Sequence, residues 1–195
     1  MTLDRETVAS ADRIVSRALD DRLGLYVLIE TIRPMAEHDS TLMAVATVQE
    51  EVGSRGAVVA GYDLDPDICI ALELTVTSDI PGASPYQEAT RLEHGPAIRI
   101  MDTTQISHSG IVRHMRESAR KLCIPLQLEV LDHGGTDVSL IRRLRSGVAM
   151  VTLSIPARYF HTVNETVAIS DVDRCVDLLK TYLEKTHTRG YDERV

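Results

Sequence analysis

Five side chains in this sequence have the types and settings that metal-assisted chemistry needs. Asp20 stands in "RALDDR", Glu50 and Glu51 follow an apolar run in "TVQEEVG", Glu73 interrupts "IALELT", and His161 closes "PARYFH". Each falls at an expected helix start or strand end. Glu73 is the most telling, because it breaks an apolar run in what should be a central strand, and a lone buried carboxylate costs several kcal/mol unless something cationic pairs with it. No basic residue lies near it in sequence. A metal ion is one solution, since carboxylates and imidazole nitrogen are usual ligands of divalent ions.

Every one of these positions also has a structural explanation. Asp20 and Asp21 suit a helix cap, Glu50 and Glu51 a solvated strand end, and His161 a hydrogen-bonded structural imidazole. Thr136 or Asp137 in "GGTD" is an equally suitable cap, with Gly134 and Gly135 serving the turn. The other histidines, His38, His94, His108, His114, His133 and His187, show no HExxH or comparable spacing, and most of them are expected at the surface.

The elements that must position these groups follow from periodicity. Apolar residues Leu23, Val27, Leu28, Ile32 and Met35 recur at helical spacing from Asp20 to about Glu37. A short β-favouring run covers 41 to 48, and a helix is expected around 55 to 62. Strands are expected at 69 to 76, 97 to 101, 126 to 131 and 149 to 155, with a turn at "SDIPGASP". Helices are expected from about 107 to 122, after "GGTD", and from 170 to about 186. Residues 1 to 17 are polar and weakly patterned, and no element is assigned there. Alternating strands and helices imply an α/β protein, a twisted sheet with helices on both faces, whose ligands sit beyond the carboxyl ends of the strands. The pair "EE" lies at such an end.

Composition narrows the function further. The 195 residues fit one domain, 1 to 195, and the chain is 44% hydrophobic with only 4% aromatic residues, so its core is aliphatic. A net charge of −8 with scattered Lys and Arg argues against a nucleic-acid or anionic-membrane partner. The densest basic run, "RRLR" at 142 to 145, reads as a solvated helix face. Cys69, Cys123 and Cys175 form no CxxC pair and are expected as reduced thiols in a cytoplasmic protein. No stretch has the length and apolarity of a membrane span, and the N-terminus lacks the parts of a signal peptide.

In combination the motifs "RALDDRLGLYVLIETI", "ATVQEEVGSRGA", "IALELTVTSDIPG", "GPAIRIMD", "IPLQLEVLDHGGTDVSLI" and "IPARYFHTVNETV" resemble the catalytic domain of the glutamyl and tetrahedral aminopeptidases. These are two-metal exopeptidases once also labelled cellulase M. The similarity runs in order from about residue 16 to residue 184. It implies a three-layer αβα fold of the zinc-peptidase kind, with a twisted, largely parallel mixed sheet. It further implies that Asp20 bridges two metal ions, that Glu50 is the general base, and that Glu51 and His161 bind the second ion. Glu73 falls where the family has an acidic ligand of the first ion, usually Asp. Adjacent acids would thus divide the labour, one holding a cation and the other taking a proton from activated water. Backbone groups of Gly135, Thr136 and Asp137 would meet the peptide substrate.

The likeness is incomplete. The family has an earlier segment with a strand carrying a His-x-Asp motif, followed by an inserted smaller domain, and neither occurs in this sequence. "RYFHTV" also replaces the family's Ser-Pro after the histidine, and "RLEHGPAI" replaces a glycine-containing turn. The expectation is therefore one firmly held zinc or cobalt ion where the family holds two, weak or absent activity, and an unpaired sheet edge. Two functions compete: a metal-dependent aminopeptidase, and a non-catalytic partner subunit. The second would form a homo-oligomer or associate with a chain supplying the absent half. Polysaccharide hydrolysis is disfavoured by the scarcity of sugar-stacking aromatics.

Overall fold

A computed structural model describes residues 5 to 35, 40 to 83 and 89 to 185. In chain order the elements are β1 (Val8–Ala9), β2 (Arg13–Ser16), α1 (Leu19–Ile32), α2 (Arg55–Leu64), β3 (Ile68–Val76), β4 (Ala97–Met101), α3 (Ser109–Lys121), β5 (Gln127–Val130), α4 (Asp137–Ile141), β6 (Ala149–Arg158), β7 (Glu165–Ala168) and α5 (Ile169–Leu183). The expected ends of the first and last helices at Glu37 and 186, residues Ser84 and Pro85 of the turn, His38 and His187 lie outside the described residues.

The sheet is organised around β6, whose ten residues are almost all buried. On one side β6 runs parallel to β3 in unbroken register from Ile68↔Ala149 to Val76↔Ala157. On its other side it pairs antiparallel with β4 and, nearer its end, with β7. β4 continues in parallel to β5, and β7 continues antiparallel to β2 and then β1. The sheet is mixed as expected, but parallel pairing is confined to two of these contacts. The others reverse direction, and the six-residue loop 159 to 164 between β6 and β7 shows how short a connection suffices for that.

The two faces of the sheet differ chemically, and the register explains why. Val151, Leu153, Ile155 and Ala157 of β6 point to one face, where they join Leu74, Ile98, Val27, Ile111, Met115, Leu178, Leu179 and Tyr182 in a single apolar core beneath α1, α3 and α5. The alternate residues Met150, Thr152 and Ser154 point to the other face, beside Cys69, Ala71, Glu73 and Thr75 of β3. There only Ala71, Val138, Met150 and Cys69 form an apolar patch under α4, against which α2 packs. The rest of this face is polar. Arg99 of β4, buried, donates through Nε to Glu129 Oε2 at 2.9 Å and through Nη1 to Asp102 Oδ2 at 3.4 Å. Thr75 donates to the same glutamate.

Three expectations are corrected. The β-favouring run 41 to 48 forms no strand and lies exposed, having no strand neighbour among the described residues with which to share backbone hydrogen bonds. The polar N-terminal stretch does form β1 and β2, because β7 supplies an edge to pair with. β3, expected as a central strand, pairs only with β6 among the described residues. Of the histidines expected mostly at the surface, His94 and His133 are exposed, while His108 is buried at the N-terminus of α3, where its backbone N–H donates to Met150 O at 2.9 Å. None of the described helices is long and apolar enough to cross a membrane, and Cys69, Cys123 and Cys175 are free thiols.

Leu153 is fully buried, whereas Leu128 of β5 is 46% exposed. Leu153→Ala is expected to lower the unfolding free energy by about 2–5 kcal/mol. Leu128→Ala should change it by no more than about 0.5 kcal/mol. Urea titration of both variants checks the placement of the core.

Candidate metal centre

The site lies at the margin where β3 and β6, being parallel, both end. β6 finishes at Arg158 and the chain turns at Tyr159 and His161, both in the left-handed region with φ of 56° and 59°. Ala18, ahead of Asp20, and Gln49, ahead of Glu50, share that conformation at 54° and 61°. Non-glycine residues held there cost of order 1 kcal/mol each and concentrate at functional sites. The strain aims three segments of distant sequence at one point.

Asp20 and Asp21 part ways at the start of α1. Both have non-helical backbone angles, and Asp21 Oδ1 accepts the Gly24 N–H at 2.9 Å. Gly24 is required for that cap, because a Cβ there would come within 2.2 Å of the Asp21 carboxylate. Asp21 is thus the helix cap, and Asp20 is left to face the loop that follows β6. There His161 Nε2 stands 3.1 Å from Asp20 Oδ2 and 3.6 Å from Glu51 Oε2. One donor atom from each of the three lies within 4.8 Å of the others. Donors about 2.0 Å from a tetrahedral ion are separated by roughly 3.3 Å. Two carboxylates and an imidazole at these spacings therefore fit zinc or a similar ion and leave a position for water. Asp20 is the inner member, with 12% of its side chain exposed, while Glu51 and His161 are open to solvent at 61% and 56%. The Phe160 ring stacks on the imidazole with centroids 3.8 Å apart.

The surrounding charge is strongly negative. Burial pushes the Asp20 carboxyl up to about 7, and Glu51 and Glu165 add to that while His161 opposes it. Burial likewise pushes Asp21 up to about 8, against the pull of the Gly24 N–H and with help from Asp20, Glu50 and Asp137. Glu50 is raised by burial and then by Asp137 and Glu51, and Ser54 donates a long 3.4 Å hydrogen bond to it. Glu73 is raised well above the usual range by burial and by Glu50. Carboxylates this crowded either hold protons or share a cation.

Glu73 does not join the three-residue cluster. Its Oε1 accepts the Asp137 N–H at 3.3 Å, and the charge of Arg99 offsets part of its burial. Sequence reasoning found no cation near Glu73 because this one comes from another strand. Of the "GGTD" residues, Gly135 is exposed. Thr136 turns inward, its hydroxyl 3.1 Å from Thr152 Oγ1. Asp137 spends its N–H on Glu73 and accepts from Thr47 Oγ1 at 2.6 Å. Thr136 occupies the cap position of α4 without a capping side-chain bond. Glu165 is the residue that sequence reasoning missed. It lies four positions after His161, and its carboxylate is hydrogen-bonded to the backbone of both the Asp20 and the His161 segments.

An open α/β sheet with a carboxylate and imidazole cluster at its carboxyl margin places the candidate centre where such sheets carry ligands. Residues 1 to 178 match the model of the M42 glutamyl aminopeptidase family, and the chain belongs to that family. A protein of Acetivibrio thermocellus described as a putative aminopeptidase is 38% identical over 89% of this chain and 52% of its own length. An aminopeptidase structure from the archaeon Desulfurococcus kamchatkensis superposes with a TM-score of 0.90 at 39% identity, over 93% of this chain and 52% of that one. The TET1 peptidase of Pyrococcus horikoshii, described as assembling into a tetrahedron or a large octahedral shell, superposes at 0.76 with 28% identity, over 90% of this chain and 52% of that one. The chain spans about half the length of these relatives.

The raised carboxyls make stability depend on pH when no metal is bound. An unfolded Asp releases its proton near 3.8, and folded Asp20 holds it to about 7. Between these values the native state binds more protons than the unfolded state, so stability falls as the pH rises through this window. Asp21 acts in the same direction but counts for less, because its residue surface is exposed and solvent screens it. The melting temperature of chelator-treated protein is expected to be higher at pH 5 than at pH 7.5, with a flatter profile in Asp20→Asn. A melting temperature that rises over this range would contradict the charge crowding.

Proposed function

We propose that this chain, acting as one domain in the cytoplasm, is the metal-holding part of an aminopeptidase-type hydrolase that removes N-terminal residues from peptides. The observation that carries it is the convergence of Asp20, Glu51 and His161 from three separate segments onto one donor set. These three would hold one zinc or cobalt ion firmly. Among the described residues Glu73 stands outside this donor set, so a second ion would not be held as firmly. The chemistry such an ion supplies is polarisation of the scissile carbonyl and acidification of a water. Glu50, half-buried and with a raised pKa, is suited to take the proton from that water and pass it to the leaving amine. The carboxyl groups of Asp21, Glu73 and Asp137 would accept hydrogen bonds from the ammonium of a free peptide N-terminus, whose positive charge favours their ionised form. Of Gly135, Thr136 and Asp137, the exposed Gly135 is the one whose backbone would meet the peptide, since Thr136 is buried and the Asp137 N–H is taken by Glu73.

The open edge of β3 supports a second reading, in which the chain serves an assembly. β3 has a strand neighbour on one side only among the described residues. Leu25, Tyr26 and Ile29 of α1 are exposed on the helix that covers this strand. An unpaired strand beside an apolar surface is an association site. The occupant would be a second copy of this chain or a chain supplying the half that the relatives have in addition.

Two measurements separate the readings. Metal analysis with cleavage of an aminoacyl anilide is expected to give one zinc per chain and activity that falls by about 10²–10⁴ in Glu50→Gln without loss of metal. Metal-replete protein without turnover would remove the enzymatic reading and leave the assembly one. Sedimentation velocity is expected to show an oligomer, and a monodisperse monomer would count against the assembly reading.

A further inference from the structure

Glu165 is an acidic residue, 3% exposed, at the first position of β7, where it is paired in register with Ser16. Its two oxygens are divided between two segments. Oε2 accepts the backbone N–H groups of Leu19 at 2.8 Å and Asp20 at 3.2 Å, and Oε1 accepts the N–H of His161 at 3.0 Å. One side chain thus ties the backbone of two residues, Asp20 and His161, whose own side chains meet 3.1 Å apart. It does so where regular structure cannot. Asp20 has non-helical angles behind a left-handed Ala18, and His161 is itself left-handed, so no helix or ladder partner is positioned for these N–H groups. Placing another negative charge beside Asp20 opposes the gathering of acids there, so the geometry is retained against electrostatic repulsion. A carboxylate suits this position better than its amide analogue, because both of its oxygens accept, whereas a glutamine would turn an NH₂ donor toward one of the N–H groups.

We propose that Glu165 is a positioning residue that sets the separation of the Asp20 and His161 donor atoms by clamping the backbone of both. The functional consequence rests on the reading that these two residues share an ion. The clamp itself does not.

Hydrogen exchange on the wild-type protein without metal tests the clamp directly. Slow exchange is expected at the amides of Leu19, Asp20 and His161, and exchange as fast as in an exposed loop would overturn the proposal. In Glu165→Gln these three amides should exchange at least tenfold faster, while those of Val151 and Leu153 in β6 keep their protection. A uniform loss of protection would show a merely structural role and overturn the proposal. Zinc affinity, measured by chelator competition below the melting temperature, is expected to weaken by about 10–100-fold in the same variant. An affinity within twofold of wild type would overturn the positioning role. Wild-type protein that binds no zinc would instead sink the metal reading, and the exchange data alone would then decide the clamp.

Discussion

Carboxylates confined to one half-buried space repel one another, and every feature of the site answers to that repulsion. Asp20 and Glu51 converge with His161 beyond the ends of β3 and β6, Asp21, Glu50, Glu73 and Asp137 lie near enough to act on one another's charge, and the inner members are pushed toward protonation. A protein with no use for the cluster would lose nothing by dispersing it. Left-handed backbone at Ala18, Gln49, Tyr159 and His161 flanks it here. The His161 imidazole lies against the inner Asp20 and the exposed Glu51, so the charge has an open side from which a cation can enter.

The fold supplies the rigidity that such an arrangement demands. All the large aliphatic residues of β6 face one side and bind the sheet to α1, α3 and α5. The opposite side is thereby free to be polar, and Arg99, Glu129, Asp102 and Thr75 form a buried hydrogen-bonded layer there. Arg99 compensates charge within this layer, and its charge also offsets part of the burial of Glu73. Asp79, paired with Arg158 at 2.7 Å, is held down at about 2, fixing the end of β6 just before the His161 loop.

The legible parts of this arrangement were those written in residue type over a short span. Asp20, the Glu50–Glu51 pair and His161 stand out because acids and histidine at strand and helix ends are chemically unusual, and the order of the surrounding motifs matches a known family. Strand β4 is legible to the residue because "AIRIM" is bounded by Gly95–Pro96 on one side and a polar turn on the other. Contacts between distant segments were not legible. No local pattern tells that Asp21 caps the helix while its neighbour Asp20 does not, that the charge of Arg99 acts on Glu73, or that Glu165 accepts from the backbone of two separate segments. β2 and β7 are four residues each, too short to show a period, and exist because they pair with each other. The run 41 to 48 shows the converse, since β-favouring residues without an edge to join remain irregular.

X-ray absorption at the zinc edge, on protein purified with one equivalent of zinc, tests the central claim most directly. The account predicts a first shell of oxygen and nitrogen only, at about 2.0–2.1 Å, with the outer-ring scattering of a single imidazole that disappears in His161→Ala. A shell containing sulfur, or a spectrum unchanged by that substitution, would contradict it.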